Sequence, residues 1–288
     1  MRCDMHVHTS QSGMCTISLL DRICRECYSD PLEVYEVLKR RGMDLVTITD
    51  HDSIGALDSL GGRPGFFLSE EVSCATPSGT SLHMGVYGIE EWHHAELQRR
   101  RDDLVSLIAF LTEQNLFFTI NHVFSALTGP RTDLDFGLFE DHFPGMETLN
   151  GAMLESCNGS AAELARRWGK APIAGSDAHT LSGLGLTWTE VPGARSAGEY
   201  LDGVRHGLGH ARGVSGNYAR LTRTVIEIGC SLIREKRWST LLAPLLLAIP
   251  AVTLANTLRE TAFHRRWSRR LGLGIAAPAT AACAPEIV

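Results

Sequence analysis

Short apolar runs rich in β-branched residues punctuate the first two-thirds of the chain, and stretches with helical spacing separate them. A run beginning near Cys3 and reaching His8 fits a strand. Residues 44–49 are apolar without polar alternation, as a strand buried on both faces would be. Residues 66–69, 82–89, 116–120, 146–149, 171–175 and 188–191 read as further strands. Between them, Asp30-Pro31-Leu32-Glu33 has the marks of a helix start: a capping carboxylate, a first-turn proline and an acid that complements the helix dipole. Lys39-Arg40-Arg41 and then Gly42 mark its end. Residues 93–114 place Leu97, Leu104, Ile108 and Leu111 on one side and predict one long amphipathic helix. Residues 161–170 and 197–207 predict two more. Alternating strands and helices predict a parallel sheet with helices outside it. If that sheet closes it is a (β/α) barrel, whose reactive groups collect at the C-terminal strand ends.

Composition narrows the class without naming a function. The 288 residues suffice for one barrel-sized domain with an appendage, and 44% hydrophobic with 21% charged content is ordinary for a globular protein. The net charge of −6 argues against general affinity for nucleic acid. It hides an asymmetry: residues 219–288 hold ten Lys/Arg against four Asp/Glu, a balance of +6, which leaves −12 on residues 1–218. Eight cysteines lack a disulfide-scaffold spacing, and Cys24-x-x-Cys27 has no second pair to make a zinc or redox site with. Histidines begin by position 6 with no basic and apolar leader before them, so the reading is a cytoplasmic protein with reduced thiols.

Two regions are expected, residues 1–215 as the α/β body and residues 216–288 as a basic, partly apolar helical extension. Residues 238–258 are 21 consecutive uncharged positions flanked by basic residues. That length meets the requirement for crossing a membrane, but Pro244, Pro250, Asn256 and three threonines dilute the signal. Membrane association and a buried packing segment both fit, with an Ala/Pro-rich disordered end over residues 276–285.

The chemistry-bearing residues fall where strand-like runs begin or end. His6 and His8 on one strand project the same way and can share a metal ion. Asp50-His51, Glu71, His83, Asn121-His122 and Asp177-x-His179 follow at later strands. Imidazole and carboxylate suit borderline divalent ions, and a carboxylate such as Glu71 or Asp177 can bridge two of them. A lone His83 or His122 is more often a hydrogen-bonded core histidine; six of twelve histidines gathered in or beside strands do not read as packing alone. The other six look ordinary.

Asp4-x-His6-x-His8, Thr49-Asp50-His51-Asp52, Glu71-Val72-Ser73, His83, Asn121-His122 and Ser176-Asp177-x-His179, in that order, resemble the motifs of the PHP (polymerase and histidinol phosphatase) family over residues 3–210. The resemblance implies a distorted seven-stranded (β/α) barrel holding two or three divalent ions, manganese, iron or zinc. It assigns His6, His8, Glu71 and Asp177 to one ion, Glu71, His83 and His122 to a second, and His51 with His179 to a third. Trinuclear members place another histidine or acid in the loop after H-x-H; residues 9–15 provide only Gln11 and Cys15 there. The implied activity is metal-dependent hydrolysis of a phosphoester by a metal-bridging hydroxide, as phosphatase or phosphodiesterase. The substrate class is a nucleotide, a small phosphorylated metabolite or a short nucleic acid. His51 or His179 could protonate the leaving oxygen, and Arg131 in Thr128-Gly129-Pro130-Arg131 is the expected phosphate clamp. The competing reading is a non-catalytic regulatory or structural PHP module attached to a membrane or a larger assembly.

Overall fold

The computed structural model describes residues 1–15 and 20–274. The Ala/Pro-rich end and residues 16–19 lie outside that description. Two sheets form the body. A five-stranded sheet runs in the order β2 (Ser69–Ala75), β3 (Ser81–Tyr87), β4 (Phe117–Ile120), β5 (Gly145–Asn150) and β6 (Ala171–Gly175). A three-stranded sheet joins β1 (Arg2–Cys3), β7 (Thr187–Glu190) and β8 (His210–Gly213).

The all-parallel sheet expected from the alternation is not what forms. Only β4–β5 and β5–β6 pair in parallel; β2–β3, β3–β4 and every pair of the smaller sheet are antiparallel. The cause is local for β2 and β3. Thr76-Pro77-Ser78-Gly79-Thr80 reverses the chain, with Gly79 at φ 80° and its N–H bonded to the Thr76 carbonyl, leaving no length for a crossover helix. The runs at residues 3–8 and 44–50 lie where strands were expected, but beyond Arg2–Cys3 they are held by single bridges. These are Val7 to Ala178, Val46 to Phe66 and His51 to Glu71.

Helix α1 (Pro31–Arg40) starts as read from the sequence: the Asp30 carboxylate accepts from the Leu32 and Glu33 N–H groups. After α2 (Leu57–Leu60), the single helix expected over residues 93–114 is two, α3 (Glu91–Arg100) and α4 (Leu104–Glu113). Asp103 breaks it, because its carboxylate accepts from the Ser106 N–H and so caps a new helix. Helices α5 (Asp133–His142), α6 (Glu155–Trp168) and α7 (Ala197–Arg205) complete the body.

The core falls into three clusters. Leu107, Phe118, Phe139 and Leu164 belong to one that joins α4 to α6 with the larger sheet, Met5, Phe117, Ile173 and Tyr200 to a second, and Val7, Val34, Leu38 and Ile48 to a third around α1. The extension consists of α8 (Tyr218–Glu235), a 3₁₀ segment (Arg237–Ala248) and α9 (Ile249–Arg270). The second half of α9 joins the core: Trp267 is 1% exposed and belongs to the cluster containing Phe136 and Leu164. Trp238–Arg270 is long and apolar enough to cross a membrane by length and composition, with 6% of its apolar window buried.

Candidate metal centre

Strands and the turns that follow them bring all eight expected ligands to one place, Glu71 and His83 from within β2 and β3, His122 and Asp177 from just beyond β4 and β6. His6, Glu71 and His122 form one group of facing donor atoms, and His6, His8 and Asp177 a second. His51, Glu71 and His83 form a third, and His8, His51 and His179 a fourth. Within each group the donor atoms lie inside 4.8 Å of one another. Glu71 is central. Its Oε2 lies 3.2 Å from His6 Nε2, 3.5 Å from His8 Nε2 and 3.3 Å from His51 Nδ1. Its Oε1 lies 3.3 Å from His122 Nε2 and 3.8 Å from His83 Nδ1. The two oxygens of one carboxylate thus face two different sets of imidazoles, as a bridging ligand requires.

Local backbone geometry makes this convergence possible. His122 and Asp177 occupy the left-handed region, at φ 30° and 51°, as does Asp52 beside His51 at φ 51°. For side chains with a Cβ this is uncommon, and it turns the chain sharply at the end of a strand. Gly175 is needed for close approach: a Cβ there would overlap the backbone and Cβ of His6. The Asp4 carboxylate then ties the H-x-H run to β6 and the loop beyond, accepting from Ser176 N–H at 2.7 Å and Gly185 N–H at 2.8 Å. Burial raises the Asp4 carboxyl to about 6, against these hydrogen bonds.

Hydrogen bonds behind the donors set which imidazole nitrogen faces inward. His6 Nδ1 donates to Glu147 Oε1 at 2.8 Å. Ser12 Oγ gives its proton to Asp50 at 2.7 Å, so His8 Nδ1, 3.0 Å from that Oγ, must donate to it. Both Nε2 atoms then face inward, 3.0 Å apart. A proton on His6 Nε2, favoured by Glu71, Asp177 and Glu147, or a metal ion in its place, holds two such nitrogens at that separation. Glu71 Oε2, His51 Nδ1 and His83 Nδ1 are buried without a hydrogen-bond partner. A buried polar atom without a partner costs about 1–3 kcal/mol. Divalent ions satisfy every one of these atoms, so the residues fit the metals that the motifs imply.

Electrostatics agree with the geometry. Burial, with the neighbouring His179, His51 and His6, drives His8 down to about 3. Burial, helped by His51 and His122, drives His83 to a similar value against the pull of Glu71. Both rings therefore present lone pairs. Burial would raise Glu71 and Asp177, but the surrounding imidazoles outweigh it and hold both carboxyls well below their ordinary range. The same carboxylates outweigh burial at His6 and His51, raising His6 and bringing His51 to about 9.

Two residues of the site are absent from the sequence reading. Glu26, not Gln11 or Cys15, faces the third group: its Oε1 lies 3.5 Å from His51 Nε2 and 3.6 Å from His179 Nε2. Its carboxyl is held below its ordinary range, hydrogen bonding to those histidines outweighing burial. The signal was an acid in the loop after H-x-H, further along than the family spacing suggests. Glu147 is the other. It sits inside a run that reads as an apolar strand, and it also accepts from His122 N–H at 2.8 Å and Asn150 Nδ2 at 2.9 Å. The signal was an acid at the centre of a buried strand, which burial tolerates only with partners. Asn121 Nδ2, bonded to Glu71 Oε1 at 2.8 Å, and Asn150 Nδ2, bonded to Asp177 Oδ2 at 3.0 Å, orient the carboxylates in the same way.

Arg131 does not join the cluster. It is 4% exposed, with its guanidinium donating to the Ser81 carbonyl and to Thr128 Oγ1, and it packs over the Phe139 ring. Burial lowers it to about 10. Its two terminal nitrogens hold the loop after β4 against β3, while its Nε is buried without a partner, and the structure does not bring it to the site where a phosphate clamp was expected. The thiols of Cys24 and Cys27 donate to different carbonyls, those of Arg25 and His8, and do not pair.

Two substitutions test these assignments. Glu26→Gln is expected to remove about one equivalent of bound metal while leaving the ions at Glu71, since loss of one charged ligand empties the site that depends on it; elemental analysis reads this, and unchanged stoichiometry would reject Glu26 as a ligand. Glu147→Gln is expected to weaken metal binding by about 10–100-fold, because it frees the His6 ring to rotate and lowers its basicity. Chelator competition measures that shift, and parental affinity would show that Glu147 is structural only.

A family model described as PHP-associated matches residues 155–207, which span α6 to the end of α7 and include Asp177 and His179. Comparison with curated protein sequences gave no match. Among solved structures, the chain is similar to a two-domain protein from Bacteroides vulgatus containing a predicted PHP-like metal-dependent phosphoesterase, at 18% identity and a TM-score of 0.55, covering 79% of this chain and 69% of that one. It is also similar to PsfC from Pseudomonas syringae, at 18% identity and a TM-score of 0.57, covering 82% of this chain and 98% of that one. At such identities the likeness is one of fold. The PHP-associated match over residues 155–207 and the shared mixed α/β fold agree with the resemblance that the ordered His, Asp and Glu motifs carry.

Proposed function

We propose that this centre binds two or three divalent ions and hydrolyses a phosphoester, acting as a phosphatase or phosphodiesterase on a nucleotide or small phosphorylated metabolite. One observation carries the reading: eight donor side chains from six separate segments converge with their lone pairs and anionic oxygens directed at one another. When bound, such ions lower the pKa of a coordinated water and offset the charge of a phosphate. His6, His8, Glu71 and Asp177 would hold one, Glu71, His83 and His122 a second, and Glu26, His51 and His179 a third.

The protein's own residues shape access and proton traffic. His6, His8 and Glu71 side chains are at most 1% exposed, whereas those of His83, His179 and Glu26 are 20–23% exposed. Substrate therefore enters on the Glu26–His179–His83 side and meets the ions from there. Glu147 and the Asp50–Ser12 pair keep the protons of His6 and His8 on Nδ1, so that neither ring swaps tautomer during turnover. His179 donates from Nδ1 to the Asp177 carbonyl at 3.0 Å, which leaves Nε2 facing Glu26 and the opening. From that position it can serve the leaving oxygen if the third ion is not retained.

The test is elemental analysis of the purified protein, together with a substrate panel of phosphomonoesters, phosphodiesters, nucleotides, short RNA and amides. About two to three equivalents of metal and chelator-sensitive turnover of phosphoesters are expected. Substoichiometric metal, or turnover of amides alone, would refute the reading.

A further inference from the structure

Exposed large apolar side chains concentrate in one stretch of the extension. Leu241 is 83% exposed and Leu247 86%, with Trp238, Leu245, Val252 and Leu258 between 50% and 62%. Single exposed leucines are ordinary, but a contiguous patch marks a surface that meets something else.

How the stretch is held says what that is. At its start, Lys236 Nζ donates to the Ile23 carbonyl at 2.9 Å and Glu235 pairs with Arg25 at 3.0 Å, both on the loop that carries Glu26. At its end, the Glu260 carboxylate accepts from Ala126 N–H at 2.8 Å, and Arg259 donates to the Ala126 carbonyl at 2.9 Å, on the loop after His122. Along its length α8 covers one side, through Thr222 and Thr253 hydroxyls 2.8 Å apart, while Glu227 of α8 accepts from Ser182 beyond His179. Both ends are thus fixed to the same body, on the loops that frame the metal centre. A segment tethered in this way lies along a surface; it does not pass through a bilayer and return.

Charge selects the surface. Residues 219–288 carry +6 while residues 1–218 carry −12, and exposed Arg259, Arg265, Arg266 and Arg269 follow the apolar run directly. Anionic headgroups attract that end and repel the rest, which orients the molecule. We propose that residues 238–258 lie in the plane of an anionic lipid bilayer and hold the mouth of the metal centre against it, so that the centre works on phosphoesters presented at that surface. The substrate clause rests on the phosphoesterase reading above; the attachment does not.

The full-length protein is mixed with vesicles of phosphatidylcholine alone, or of phosphatidylcholine with phosphatidylserine, and sedimented. Co-sedimentation with the anionic vesicles, weakened by salt, is expected, and Leu245→Glu with Leu247→Glu should lower the bound fraction by about ten-fold or more. Both side chains are exposed, so the variant should keep the parental melting temperature and metal content. Absence from the anionic pellet, equal binding to phosphatidylcholine alone, or unchanged binding of the variant would overturn the proposal. So would a dimer, seen by light scattering and dissolved by the same variant, that ignores vesicles. Turnover of a soluble phosphoester is recorded alongside: vesicle binding without turnover speaks against the phosphoesterase reading only, and turnover without binding against the attachment only.

Discussion

Replacing His6 and His8 together by alanine is expected to bring phosphoester turnover below about a thousandth of the parental rate, because an ion that activates water cannot be held without its imidazoles. The two rings supply the pair of Nε2 atoms 3.0 Å apart, and they reach both Glu71 and Asp177. The check has three readouts: turnover, metal content and thermal unfolding in chelator. A folded variant with parental turnover would mean that the chemistry takes place elsewhere. A variant that keeps its metal but loses turnover would mean that the H-x-H pair positions substrate and does not hold an ion.

Trp267→Ala is expected to cost about 3–5 kcal/mol, the usual range for truncating a fully buried aromatic, and to lower Tm by roughly 10 °C in a chain of this size. The ring packs 4.8 Å from Phe136, and its neighbours anchor α9 as well. His264 Nε2 lies 2.8 Å from Ser160 Oγ, Ser268 Oγ lies 3.1 Å from the same atom, and Arg270 pairs with Asp133. The second half of α9 thus shares the core of the body. If the variant unfolds within about 2 °C of the parent, α9 is a detachable appendage, since its loss then costs less than about 1 kcal/mol. Because α9 also holds the loop after His122 through Glu260, metal affinity should weaken in the same variant.

Much of the site is legible in the chain because its signals are local. Two histidines one residue apart on extended backbone must face the same way, whatever the rest of the fold does. Strand-like runs ending in Asp-His, Asn-His or Asp-x-His place ligands at strand ends for the same reason. The helix starting after Asp30 also follows from a carboxylate and a proline a few residues apart. Asp103 shows the limit of such reasoning. Apolar spacing continues across it, yet a capping hydrogen bond outweighs the periodicity and splits the helix.

What the amino-acid sequence determined by itself was the donor set and its order: which imidazoles and carboxylates exist, and which of them share a strand face. Tertiary structure alone decided the partners. His6 meets Glu147 across 141 residues, Glu26 reaches His51 and His179 from an irregular loop, and Arg131 turns away to the Ser81 carbonyl. It also decided that Ser69–Ala75 and Ser81–Tyr87 pair as a hairpin and that Trp267 returns to the core. Periodicity and spacing are properties of neighbouring residues, whereas these contacts join distant segments whose approach is settled only when the whole core packs.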